Sequence, residues 1–117
     1  MPYVDGFVIP VPRKNIDSYR RISRAAGKIW REHGALEYRE CVGDDLDSPM
    51  GRSFPRGIKT KAGETVVFSW IVYKSRAHRN AVNKKVMKDP RLNEMPPEMP
   101  FDIKRMLYGG FKTIVDL

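Results

Sequence analysis

Chemistry in a small protein needs polar or titratable side chains held against apolar walls, and this sequence offers few of them. His78, Trp70 and Tyr108 are the groups best suited to line a small-molecule pocket. His78 falls near the middle of the inner arc of a helix, where a histidine either satisfies itself in the core or presents a polar group to a ligand. Cys41 is the one cysteine, which excludes an internal disulfide and a multi-cysteine metal site. As a nucleophile it would need a base beside it, and none lies nearby in sequence. Asp44, Asp45 and Asp47 outline a calcium loop only superficially. The EF-hand pattern asks for glycine and glutamate where Pro49 and Pro55 stand. G-x-S-x-G, P-loop, H-E-x-x-H and dinucleotide-glycine motifs are all missing. The reading therefore assigns no catalytic residue, no metal ligand and no cofactor.

Charge points to a second kind of partner. Lysine and arginine number 22 against 14 acidic residues, for a net charge of +8. Such a balance attracts anions, nucleic acid among them, or serves solubility alone. Arg20, Arg21, Arg24, Lys28 and Arg31 share one arc of a helix, opposite Ile16, Tyr19, Ile22, Ala26, Ile29, Trp30 and His33. That basic arc could meet phosphates without reading sequence. It has no aromatic side chains to stack on bases.

The elements that must position these groups follow from patterning. Tyr3–Pro10 reads as a first strand ended by Pro10 and Pro12. Asn15 is placed to cap a helix over Ile16–His33, with Gly34 as its stop and His33 favourable to the dipole in the last turn. Ala35–Val42 alternates and carries charge, as an edge strand does. A Gly-, Pro- and Asp-rich connection runs from Gly43 to Gly63. Thr65–Tyr73 is apolar on both faces apart from Ser69, so both sides should be covered. Ser75 caps a second helix with Ala77, His78, Ala81, Val82, Lys85 and Val86 inward, and Asp89-Pro90 ends it. Phe101–Arg105 suits one helical turn and Leu107–Val115 a last strand. The order is strand, helix, strand, strand, helix, strand: an α+β, ferredoxin-like βαββαβ plan. A four-stranded antiparallel sheet would have the first and third strands central and two helices on one face. One domain, residues 1–117, fits the length. The uncovered face calls for a second copy, hence a homodimer.

The runs GETVVFSWIVYKSRAHRNAVNKKVMKDPRL and MPFDIKRMLYGGFKTIVDL, with CVGDDLD and FPRG before them, resemble the bacterial YbaA-like domain of unknown function. The likeness extends over nearly the whole chain from YVDGFVIPVP onward. It implies a dimeric α/β barrel and no established reaction. The wider barrel superfamily includes cofactor-independent monooxygenases and haem-degrading enzymes, with sites between sheet and helices. Only His78, Trp70 and some tyrosines could serve such chemistry here, and no asparagine–tryptophan–histidine set aligns. The lone cysteine suits a cytoplasmic setting. Met1–Pro12 lacks the pattern of a secretion signal, and no apolar run approaches the roughly 18 residues of a membrane span.

Overall fold

The apolar run Val66 to Tyr73 forms β3 (Glu64–Tyr73), a central strand paired on both edges. The computed structural model describes residues 1–117. Its sheet has the order β2-β3-β1-β4, with β1 at Tyr3–Pro12, β2 at Glu37–Val42 and β4 at Leu107–Lys112, every pairing antiparallel. The helices α1 (Ile16–Glu32) and α3 (Arg76–Met87) complete the expected βαββαβ succession.

Register sorts the side chains. Asp5, Phe7, Ile9 and Val11 of β1 pair with Ile71, Ser69, Val67 and Thr65, and these residues face the helices. Tyr38 and Glu40 of β2 and Tyr108 of β4 join that face through their partners Ile71, Ser69 and Phe7. Val4, Val8, Phe68, Trp70, Val72, Leu107 and Phe111 lie on the other. Two clusters fill the helix side: Ile29, Ala35, Ile71, Tyr73, Val82 and Val86 at one end, and Ile9, Val11, Tyr19 and Val67 at the other.

Several boundaries depart from the expected ones. β1 continues through Pro10 to Pro12 because β4 pairs only with Tyr3–Val8. The Arg13 N–H donates across to the Gly63 carbonyl at 2.9 Å. By alternation, the nitrogens of Pro10 and Pro12 then face the free edge, where no ladder bond is lost. β4 stops at Lys112 rather than Val115. Asn15 occupies the cap position of α1 but donates its amide to the Pro100 carbonyl at 3.0 Å instead of capping. His33 pairs its Nε2 with Asp89 at 2.8 Å, and Gly34 ends the helix at a φ of +117°. α3 is rolled from its expected arc. Val82 and Val86 are buried while Ala77, Ala81 and Lys85 are exposed, because two small alanines cannot define a face against Arg79 and Asn83, which turn inward.

The long connection contains an unexpected helix, α2 (Phe54–Ile58), with Ser53 accepting from the Arg56 N–H at its start. α2 lies on the side away from α1 and α3, its Phe54 ring edge-on to Phe68 at 6.0 Å. The two-helices-on-one-face plan is thus incomplete. Val66 and Pro10, though on the outer face, are buried, whereas Phe68 remains 44% exposed.

Glu64 ties this connection to the turn before β4. Its Oε1 accepts from the Lys61 N–H at 2.7 Å, and Arg105 donates to both oxygens at 2.7 and 2.9 Å. The Arg105 hydrogen bonds, foremost, hold the carboxyl at a pKa of about 2 against an ordinary 4.5. A depressed carboxylate stabilises the fold fully above its unfolded pKa and loses that contribution as pH falls through the folded value. Arg105→Met should therefore cost roughly 2 kcal/mol at pH 7. In urea melts the deficit should shrink between pH 4.5 and 2. A pH-independent deficit would assign the loss to packing.

Candidate functional site

Between α1 and the helix-side face of the sheet lies a chamber of about 260 Å³. α1 contributes Tyr19, Ile22, Ser23, Ala26 and Trp30, the sheet contributes Phe7, Ile9, Tyr38, Glu40, Ser69, Trp70 and Ile71, and Met99, Phe101, Ile103 and Met106 close it from the connector before β4. The connector is held there by Asn15 on Pro100 and by an edge contact of Phe101 with Tyr19 at 5.6 Å. The chamber is apolar apart from one corner. There the Tyr19 hydroxyl donates to Glu40 Oε1 at 2.6 Å and the Tyr38 hydroxyl to Oε2 at 2.7 Å. Burial, and then the Glu40 carboxylate, raise both phenol pKa values far above the ordinary range. Both hydroxyls therefore stay protonated and keep donating at any working pH. Tyr38 reaches this position because Gly27 leaves room. A Cβ on Gly27 would stand 2.6 Å from the Tyr38 ring.

A second polar group is sealed under α3. Asp5 is only 2% exposed, with Arg79 Nε 3.8 Å from its Oδ1. Neither of these two atoms has a hydrogen-bond partner. Arg79 instead donates to the hydroxyls of Tyr108 and Tyr3 at 3.3 and 3.2 Å. Asn83 accepts from Trp30 Nε1 at 3.0 Å and from the Tyr73 hydroxyl at 3.3 Å. Burial pushes the Asp5 pKa up and the Arg79 charge opposes it.

The three residues proposed from sequence as pocket-lining do not converge. His78 packs edge-on against Tyr73 at 6.0 Å, and its Nδ1 accepts from the Lys74 N–H at 3.0 Å. Tyr108 lies on the same side, against Phe7 at 5.0 Å and bonded to Arg79. Trp70 turns its ring to the outer face, its Nε1 donating to Glu37 at 2.9 Å, yet the residue also borders the chamber, the one of the three that does. Arg20, Arg21, Arg24, Lys28 and Arg31 are all exposed along α1. Arg20 is paired with Asp17 at 3.0 Å, and Arg31 is engaged by the carbonyls of Ala35 and Leu36.

Sequence reasoning missed Glu40, Tyr38, Asp5 and Arg79. The signal was there in part. Glu40 alternates with Tyr38 and Val42 on the apolar side of β2, a position that a solvated edge charge would avoid. No helix is long and apolar enough to cross a membrane.

Comparison with known proteins places this architecture. Among solved structures, an uncharacterised NIPSNAP domain protein from Burkholderia xenovorans superimposes with a TM-score of 0.56 at 13% identity, over 95% of this chain and 93% of the other. A dimeric ferredoxin-like protein from an uncultured marine organism gives 0.51 at 12% identity over 100% of both. These likenesses show the fold alone. The uncharacterised protein YbaA of Escherichia coli K12 is 46% identical over 116 residues, 99% of each chain, and that of Shigella flexneri matches equally. The family model described as "Protein of unknown function (DUF1428)" matches residues 2–103, which leaves β4 beyond its end. With a four-stranded antiparallel sheet, ferredoxin-like neighbours and a full-length YbaA match, the chain belongs to the DUF1428 family of YbaA-like proteins.

Proposed function

We propose that the protein is a cytoplasmic homodimer that binds a small molecule in the chamber beneath α1. The chamber itself carries the reading: apolar walls with one oriented polar corner are the usual make-up of a ligand site, and here 13 of the 16 lining residues are hydrophobic. The second copy is argued from the outer face. Leu107 and Phe111 are 55% and 62% exposed beside Phe68, an apolar patch of a kind that marks interaction surfaces. The chain exposes 8298 Å², whereas a compact monomer of its 13.5 kDa exposes roughly 6500 Å². Its radius of gyration of 15.0 Å likewise exceeds the about 13 Å expected for the length. Docking two such sheets face to face would form the barrel. The lone Cys41 suits a reducing compartment.

Light scattering at micromolar concentration should give the mass of two chains. A broad metabolite thermal-shift screen should return stabilising ligands, since anything that binds only the folded state raises its melting temperature. A screen without hits on protein that folds reversibly would overturn the binding reading, and a mass of one chain would overturn the dimer.

A further inference from the structure

The corner of the chamber has acceptors to offer and few donors. Tyr19 and Tyr38 both direct their hydrogens at Glu40. Ser23 donates to the Arg20 carbonyl at 3.3 Å, and Trp30 donates to Asn83. The Ser69 hydroxyl also lines the chamber and can act as donor or acceptor there. A carboxylate has about four lone-pair sites, and the two phenols occupy one on each Glu40 oxygen, so capacity remains on both. Glu40 is half-buried and makes no ion pair with any cation of the chain. A charge held against apolar walls is costly until a counter-charge meets it.

Resting on the binding reading above, we infer that the chamber takes a small aromatic or alicyclic amine, its ring among Ile22, Ala26, Ile71 and Met106 and its ammonium on Glu40. A charge-assisted bond of this kind is about twice as strong as a neutral one. A carboxylate ligand would instead bring like charge to the same corner. Arg20, Arg24, Lys28 and Arg31 line an open groove that shares Ser23, Tyr38 and Glu40 with the chamber. None of them pairs with Glu40, and all four are exposed. At exposed positions salt screens them within about 8–10 Å, whereas Glu40 acts at contact.

The test uses three indoles of matched shape on the intact wild-type protein: tryptamine, tryptophol and indole-3-propionate, titrated by calorimetry at neutral pH. Tryptamine should bind at least roughly tenfold more tightly than the propionate, with tryptophol between them. Glu40→Gln should abolish that order, bringing the affinities of tryptamine and the propionate together. Ala26→Trp, which fills the chamber, should remove binding of all three. The wild-type ranking needs no variant, so a misfolded Glu40→Gln does not spare the proposal. Equal affinities, or a preference for the propionate, would overturn it while leaving the chamber as a binding site. No binding by any of the three up to millimolar concentration would overturn the amine proposal, and only an empty metabolite screen would remove the binding reading as well.

Discussion

Arg79→Met should lower the stability of the folded chain by about 3–5 kcal/mol at pH 7, because it leaves Asp5 as a buried charge without a cation. Asp5 is 2% exposed, and Arg79 is the cation that reaches it, with Nε at 3.8 Å. The methionine keeps much of the aliphatic stem, so the loss reports charge more than volume. Burial already raises the Asp5 pKa above its ordinary value. A raised carboxyl contributes stability that is fully present below the unfolded pKa and lost as pH rises through the folded one. Removing Arg79 raises the folded pKa further. The deficit of the variant relative to wild type should therefore be largest at neutral pH and shrink near pH 4. Asp5→Asn in the Arg79→Met background should recover part of it, since the two sites are coupled. Urea denaturation of wild type, Arg79→Met, Asp5→Asn and the double variant at pH 4 and pH 7 reads all of this. A deficit equal at both pH values would show that Arg79 acts through its contacts with Tyr3 and Tyr108 alone.

The second large effect concerns the outer face. If the protein is the proposed homodimer, Phe68→Asp should convert it into single chains with the fold intact. Phe68 is 44% exposed within one chain, so an aspartate there stays solvated in the monomer. In a two-fold dimer the same substitution occurs on both sides, and each buried, unpaired carboxylate costs several kcal/mol. Sedimentation equilibrium together with far-UV circular dichroism separates the outcomes. A variant that remains a dimer would move the interface away from this face. A variant that loses its circular dichroism would assign Phe68 to the core with Phe54.

Most of the fold was legible in the sequence because it rests on patterns of period two and 3.6, which the pattern of Val66 to Tyr73 and the arc from Tyr19 to Trp30 state openly. Edge and centre were readable too, since β2 carries Glu37, Arg39 and Glu40. α2 was not. Five residues in a Gly- and Pro-rich stretch give no periodicity, and its position depends on Phe54 meeting Phe68, which no local rule announces. The sites were the least legible part. Glu40 looked like an edge charge until Tyr19, 21 residues earlier in the chain, was seen to donate to it. The meaning of Asp5 depends on Arg79, far along the chain yet 3.8 Å away from it. Trp70 and His78 were singled out for residue type, yet register sends Trp70 to the opposite face. Partnerships between distant residues decide a site, whereas local spacing decides an element.

The central place of β1 also governs how the protein is made. Tyr3–Pro12 pairs on one side with Glu64–Tyr73, and Tyr3–Val8 pairs on the other with Leu107–Lys112. During synthesis the first strand to emerge has no neighbour until some sixty further residues have followed, and one edge stays bare until the last strand leaves the ribosome. Loop closure over such separations is slow, and a waiting apolar strand is a template for unwanted pairing. At a synthesis rate of about 5–20 residues per second the exposure lasts seconds. An apolar strand left waiting in this way is exposed to wrong pairing during synthesis, whatever the stability of the finished fold.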